Sequence, residues 1–496
     1  MAETVILGAD ALGLEALVAV AGGAPVALSD QGRGRMVRGN AILMREMAAE
    51  TPIYGVTTGL GPRVVDKLEG QARADFPAAT VRGRAHALGK PLAPEIVRVA
   101  MAARIQSMLT GATGARPILA ETLAACLNAD LTPVLGESAT IGAGDLMWGG
   151  MIGLALIGEG EMDTAQGRMP AAEALSRHGI APLLLKPREG LAFVSNSAPT
   201  AAVAAMGLAA LRINLAAAQA AAALSLEAFR GNLSPLHPGI LALSPKPGQM
   251  QAAEGLHAWL DGSLLHQAGA ARRLQDPLSL RNIVQVQGAV FAAADWLEAA
   301  VLPEINTPTD NPVVLIEQDI VLSGGSYLSP QLAIAAQAMN DAARHMAAQT
   351  VGRIQKLISG RFSDLPMGLS AQGVGGVGFG AMMKVVETLS AEISHLAQPA
   401  PVYPSISADG VEDTITNAAI PAKAMHAIVE KLTYLTAMEL MVATQASELR
   451  ATPIAPRLAA LRDQIRSHTS PLDLDRSFTA EIEALARAIT RQDLSI

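Results

Sequence analysis

"APTAAVAAMGLAALRINLAAAQAAAALSLEAF" fills residues 198–229. The stretch is long enough to cross a bilayer, yet Arg212 and Asn214 interrupt it and alanine dominates over leucine and isoleucine. It therefore reads as the central helix of a soluble bundle. A helix so poor in bulky side chains packs closely, and its apolar surface must be covered by other helices or by other subunits. An oligomer is the expected form.

The composition around this helix points the same way. Half of the 496 residues are hydrophobic while only 3% are aromatic, so the chain can bury a large core, divided into two or three subregions. Ala-rich and Leu-rich stretches with few β-branched alternations favour helix over strand, which makes the expected class mainly α. Helical patterns run over residues 94–128, 146–158, 279–300, 329–360 and 382–395, with loops such as NTPTDNP and PAPVYPSISADGVED between or after them. A net charge of −8 without any Lys/Arg run argues against nucleic acid as a partner. The single cysteine, Cys126, excludes an intramolecular disulfide, and no basic residue precedes Arg33, so no secretory signal is read and a cytoplasmic location is expected.

A second stretch, ATIGAGDLMWGG at residues 139–150, sets Gly142, Ala143 and Gly144 before Asp145 and opens another apolar helix. Generic motifs do not explain it. The GVGGVG run at residues 373–378 satisfies G-x-G-x-x-G, but no buried strand precedes it and no βαβ alternation surrounds it, so dinucleotide binding is not expected. HExxH, CxxC and Walker A sequences are absent and the nine histidines are scattered, so no metal site is expected.

Its distant partners are more informative. IYGVTTGLGPRV, residues 53–64, places Tyr54 in a Gly/Thr-rich loop of the kind that positions functional side chains. Together with RAHALGKPL (84–92), GATGAR (111–116), MPAAEAL from Met169, LAFVSNSA (191–198), PGQ (247–249), QDPLSLR (275–281), TDNP (309–312), LSGGSY and VED, it resembles the histidine and aromatic amino-acid ammonia-lyase family, in order and approximate spacing along nearly the whole chain. The resemblance implies a long-helix bundle of the fumarase/ammonia-lyase type with a smaller N-terminal active-site region, divided as residues 1–195 and 196–496. It further implies a homotetramer with shared active sites, Tyr54 coming from one chain and residues such as Arg281 or Glu412 from others, and an electrophilic methylidene-imidazolone ring made autocatalytically from an Ala-Ser-Gly tripeptide.

Here the tripeptide lacks its serine. Either Gly142-Ala143-Gly144 falls over Ala-Ser-Gly or one residue has been deleted, and under both alignments no X-Ser-Gly remains nearby. Cyclising a backbone needs little bulk and a glycine amide able to approach a carbonyl, which accounts for the small residues, but the methylidene arises by dehydrating a serine hydroxyl. No ring cofactor is therefore expected. A second departure agrees: the family's tyrosine in QDxYSLR is Leu278 here.

The rest of the constellation carries over by resemblance. Tyr54 is the base, Arg281 the carboxylate clamp, Asn196 and Gln275 polar contacts, Tyr327 an aromatic contact, and His86 and Glu412 suit an imidazole. Each has a plainer reading. Tyr54 alone packs more often than it catalyses, Arg281 beside Asp276 is equally readable as a structural ion pair, and Glu412-Asp413 as an exposed acidic turn after Gly410. A phenol titrates near ~10, so its use as a base calls for nearby positive charge or a helix N-terminus. Backbone amides at Gly142 to Gly144 are candidates for stabilising enolate-like charge. The expected activity is base-assisted elimination, of a C–N or similar bond, from a small carboxylate or amino-acid-like substrate that carries its own activation, such as a better leaving group. A catalytically silent ligand-binding or oligomer-completing relative and an amino-group isomerase are the alternatives.

Overall fold

The computed structural model describes residues 3–370 and 375–496. It is mainly α-helical, and the opening stretch is one helix, Ala198–Phe229, as expected. Its two polar interruptions are both engaged. Arg212 pairs with Asp295 at 3.3 Å, and the buried Asn214 donates to Thr433 and Thr436 at 3.2 Å each. This is the one helical stretch among the described residues long and apolar enough to cross a membrane, and most of it is buried inside the protein.

The chain divides into two compact units, each assembled from separate stretches. One comprises Met1–Met206, Glu298–Ala336 and Ala400–Lys423, the other Gly207–Leu297, Gln337–Pro399 and Ala424–Ile496. The second unit is a bundle of long helices. Within it Arg353 of Pro330–Ile358 holds Glu439 of Ala419–Arg450 through both carboxylate oxygens, and Ser225 donates to the same carboxylate at 2.7 Å. Arg353 and Glu439 are fully buried. Removing one partner of such a pair would leave an uncompensated charge, at a cost of about 3–5 kcal/mol.

The first unit mixes shorter helices with small sheets. Val5–Leu7 pairs in parallel with Val26–Leu28, Leu88–Pro91 pairs antiparallel with Gly136–Ser138, and Glu161–Thr164 lies antiparallel between Thr132–Pro133 and Gly167–Pro170. The helical pattern over residues 94–128 resolves into two helices, Pro94–Met108 and Pro117–Asn128. Gly111, at φ +82°, turns the chain left-handed, and Pro117 opens the next helix at its first position. Asp310 lies fully buried between Arg104 and Arg188, binding each at 2.8 Å. Of the GVGGVG run, Gly373 and Val374 lie outside the described residues.

Candidate active site

The glycine pair of DLMWGG fixes one wall of the site. In the helix Leu146–Leu156, a Cβ on Gly149 would stand 2.2 Å from the Phe193 carbonyl oxygen, and one on Gly150 2.5 Å from that of Arg84. The helix thus lies directly on two backbone segments, and any side chain there would push them off. Trp148 Nε1 donates to the Gly136 carbonyl at 2.7 Å, fastening the helix to the strand Gly136–Ser138. The small-residue loop 142–144 emerges between these anchors.

That loop is held in place by its backbone. Gly142 and Gly144 have φ of +75° and +74°, a region that L side chains disfavour. Thr416 Oγ1 donates to the Gly142 carbonyl at 2.9 Å, the Gly144 amide to the Tyr327 carbonyl at 3.0 Å, and Thr140 Oγ1 to the Gly144 carbonyl at 3.2 Å. The Gly142 amide donates to Thr140 Oγ1 at 3.0 Å. Two of the three amides expected to serve a developing negative charge are therefore spent on the protein. Only that of Ala143 remains for a ligand.

Ala143 lines a cavity of about 480 Å³ in the first unit, together with Tyr54, Arg84, Ser195, Asn311, Tyr327, Glu412 and Asp413. The Gly61 amide donates to Tyr54 Oη at 2.9 Å, which orients the phenol and leaves its own hydrogen for another acceptor. Burial pushes the Tyr327 hydroxyl and the Glu412 carboxyl above their usual ranges, the Glu412 charge adding to the first effect and Arg84 opposing the second. Burial likewise lowers Arg84, against the pull of Tyr54 and Glu412. Behind the loop Asp145, fully desolvated, is pushed up to about 6, although the Thr200 hydroxyl and amide both donate to it at 2.7 Å.

The structure thus brings Tyr54, Ala143, Tyr327 and Glu412 together in one chain's cavity, with Gly142 and Gly144 flanking Ala143. Tyr54 and Glu412 need no second subunit to meet. Asn196 is 2% exposed and spends its side chain on backbone, donating to the Phe193 carbonyl at 2.7 Å and accepting from the Ala198 amide at 3.0 Å. It fixes the entry to the helix Ala198–Phe229 and does not line the cavity. His86 is exposed and also lies outside the lining, whereas Arg84, two residues earlier, belongs to it. Gln275, Leu278 and Arg281 belong to the second unit. There Arg281 donates to Gln275 at 3.0 Å, and Leu278 is 66% exposed. Asp276 instead accepts from the Asn232 amide at 2.6 Å.

The methylidene-imidazolone ring does not fit these residues. The cavity wall offers a methyl group at Ala143 where a hydroxyl would have to be lost, and no serine stands between residues 139 and 150.

In this mainly helical chain a phenol oriented by a backbone amide lines one cavity with the small-residue loop, and similarity to histidine ammonia-lyases over the full length makes the protein an enzyme of the lyase class. A model of the aromatic amino acid lyase family matches residues 12–467, and the chain belongs to that family. It is 33% identical to the histidine ammonia-lyase of Anaeromyxobacter dehalogenans (strain 2CP-C) over the whole of both chains. With that of Geobacillus thermodenitrificans it shares 34% identity, over 94% of this chain and 93% of the other. Among solved structures it is similar to ergothionase, the ergothioneine-degrading enzyme of Treponema denticola, in complex with desmethyl-ergothioneine sulfonic acid. That match has a TM-score of 0.94 and 27% identity over 99% of each chain. Tyrosine aminomutase of Streptomyces globisporus superposes with a TM-score of 0.93 and 25% identity, over 99% of this chain and 97% of the other.

Proposed function

We propose that this lyase eliminates an amine without an electrophilic ring, from an amino-acid-derived substrate whose nitrogen is already a good leaving group. The observation that carries the reading is Ala143 in the cavity wall beside Tyr54. The base is kept and the source of the electrophile is gone. The similarity to ergothionase suggests the class of substrate: ergothioneine is an amino-acid betaine, with a trimethylammonium group on its α-carbon. A quaternary nitrogen stays positive at every pH and departs as a neutral tertiary amine. The aromatic side chains of Tyr54 and Tyr327 and the Glu412 carboxyl, all lining the cavity, are groups of the kind that bind such a cation.

In the proposed step Tyr54, its own hydrogen already passed to another acceptor so that it stands as the phenolate, takes the β-proton through Oη, the C–H electron pair forms the Cα=Cβ bond, and the Cα–N bond breaks with its pair leaving on the amine. The products are an α,β-unsaturated acid, a tertiary amine and a proton held on Tyr54. Arg281 of a neighbouring subunit clamps the carboxylate through its fork of donors. In support of a homotetramer, the first unit exposes Val402, Ile406 and Val411 at 74%, 91% and 58%, apolar side chains close in sequence to the cavity residue Glu412 that another chain would cover. A monomer in light scattering at micromolar concentration would end that part of the reading.

The test of the reaction is incubation with the trimethylammonium betaines of histidine and 2-thiohistidine, and with histidine itself. Tertiary amine is read by mass spectrometry and the unsaturated acid by absorbance. Amine release from a betaine and negligible ammonia from histidine are expected. Deamination of histidine at rates typical of enzymes, or inertness toward both betaines, would overturn the proposal.

A further inference from the structure

Among the described residues, Arg84 is the one basic side chain lining the cavity. It follows the helix Gly70–Arg82, and its backbone is pinned beneath Gly150. Other buried or half-buried arginines of this unit have close partners: Arg104 and Arg188 pair with Asp310, Arg98 with Asp130 and Arg116 with Glu189, while Arg35 donates to the Leu109 and Gly8 carbonyls at 2.8 and 2.7 Å. No carboxylate among the described residues forms a salt bridge with Arg84, and its hydrogen bond within the protein is a long one, NH1 to the Thr80 carbonyl at 3.4 Å. A guanidinium carries five N–H donors, and withdrawing it from water is costly when only the longer-range pull of Tyr54 and Glu412 offsets it. Arg84 lines the cavity with most of its donors uncommitted.

We infer that Arg84 binds an anionic group at the far end of the substrate, distinct from the carboxylate assigned to Arg281. The inference rests on the proposed reading that the cavity takes an amino-acid-derived carboxylate, and it narrows the substrate to compounds with a second anionic or strongly hydrogen-bond-accepting function on the side chain. Tyr54 and Ala143 then stand beside the reacting carbons, while Arg84 fixes the ring or chain end and sets its register.

Binding tests this without turnover. The probes are 3-(imidazol-4-yl)propanoate and the same molecule bearing a ring sulfonate, titrated calorimetrically into the intact protein. Wild type should bind the sulfonate at least about tenfold more tightly. Arg84→Gln should reduce that preference to about twofold or less while leaving the affinity for the plain propanoate nearly unchanged, and Arg84→Lys should keep part of it. Equal weakening of both probes by Arg84→Gln, or no preference in wild type, would overturn the inference. If Arg84→Gln does not fold, Arg84→Lys and wild type decide the matter, because a preference unaltered by the lysine also contradicts a guanidinium site. Sulfonate preference without amine release from any betaine would sink the proposed reaction and leave the role of Arg84 standing.

Discussion

Thr416 Oγ1 donates to the Gly142 carbonyl at 2.9 Å, and it also fills the space a side chain at residue 142 would need. A Cβ there would stand 2.1 Å from that hydroxyl and 2.8 Å from the Asn417 amide nitrogen. Combined with φ of +75°, this predicts that Gly142→Ala destabilises the protein by roughly 2–4 kcal/mol. Denaturant midpoints check it, and Thr416→Ala in the same background should recover part of the loss. A Gly142→Ala protein as stable as wild type would show that the contact is not tight.

The same loop predicts the covalent state of the chain. Intact mass should equal that of the unmodified sequence, with no loss of two waters, and the ultraviolet band of a methylidene-imidazolone should be missing. Ala143→Ser supplies the hydroxyl but leaves the Gly144 amide bonded to the Tyr327 carbonyl at 3.0 Å and leaves Leu278 unchanged. Little histidine deamination is expected from that variant, and any gain should require Leu278→Tyr as well. Wild-type protein that has lost two waters would refute the reading.

The helix Ala198–Phe229 was legible because its cause is local: an unbroken apolar, alanine-rich run has few other conformations that bury it. The break at Gly111 was not. A glycine inside a helical pattern is tolerated or terminating according to the φ it adopts, and only packing fixes that. Tyr54, Ala143, Tyr327 and Glu412 come together from separate segments spread over residues 54–412, and it was the resemblance, not periodicity, that linked them. Arg84 was passed over in favour of His86 because residues two apart in a turn face different ways, and RAHALGKPL does not say which faces inward. Asn196 was expected to be a substrate contact through the resemblance alone. Its two bonds to backbone show the capping work that uses it up.

Burial holds the Asp145 carboxyl at about 6, against 3.8 for an exposed one. Across that window the folded chain binds a proton that the unfolded chain has released, so this group's contribution is fully present below pH 3.8 and is lost as pH rises through 6. Asp145→Asn cannot titrate. Between pH 4 and 8 wild type should therefore lose stability relative to Asp145→Asn by on the order of 3 kcal/mol. Urea unfolding of both proteins at several pH values measures the difference. A gap that did not change with pH would mean that Asp145 is not held above its usual range.

Tyr54 carries the sharpest test of the proposed reaction. Its hydroxyl oxygen accepts from the Gly61 amide at 2.9 Å, so the ring is already positioned before substrate arrives. Tyr54→Phe keeps the aromatic body that would face a quaternary ammonium group and removes the atom that takes the proton. With a betaine substrate, kcat should fall by roughly 10²–10⁴ while KM changes little. Arg281→Lys should do the reverse, chiefly raising KM, because a point charge cannot reproduce a bidentate fork on a carboxylate. The two variants thus separate proton removal from substrate holding. If Tyr54→Phe left turnover intact, Tyr54 would be a packing residue, and the base would have to be sought among the other cavity groups, with Glu412 first because burial already raises its affinity for a proton.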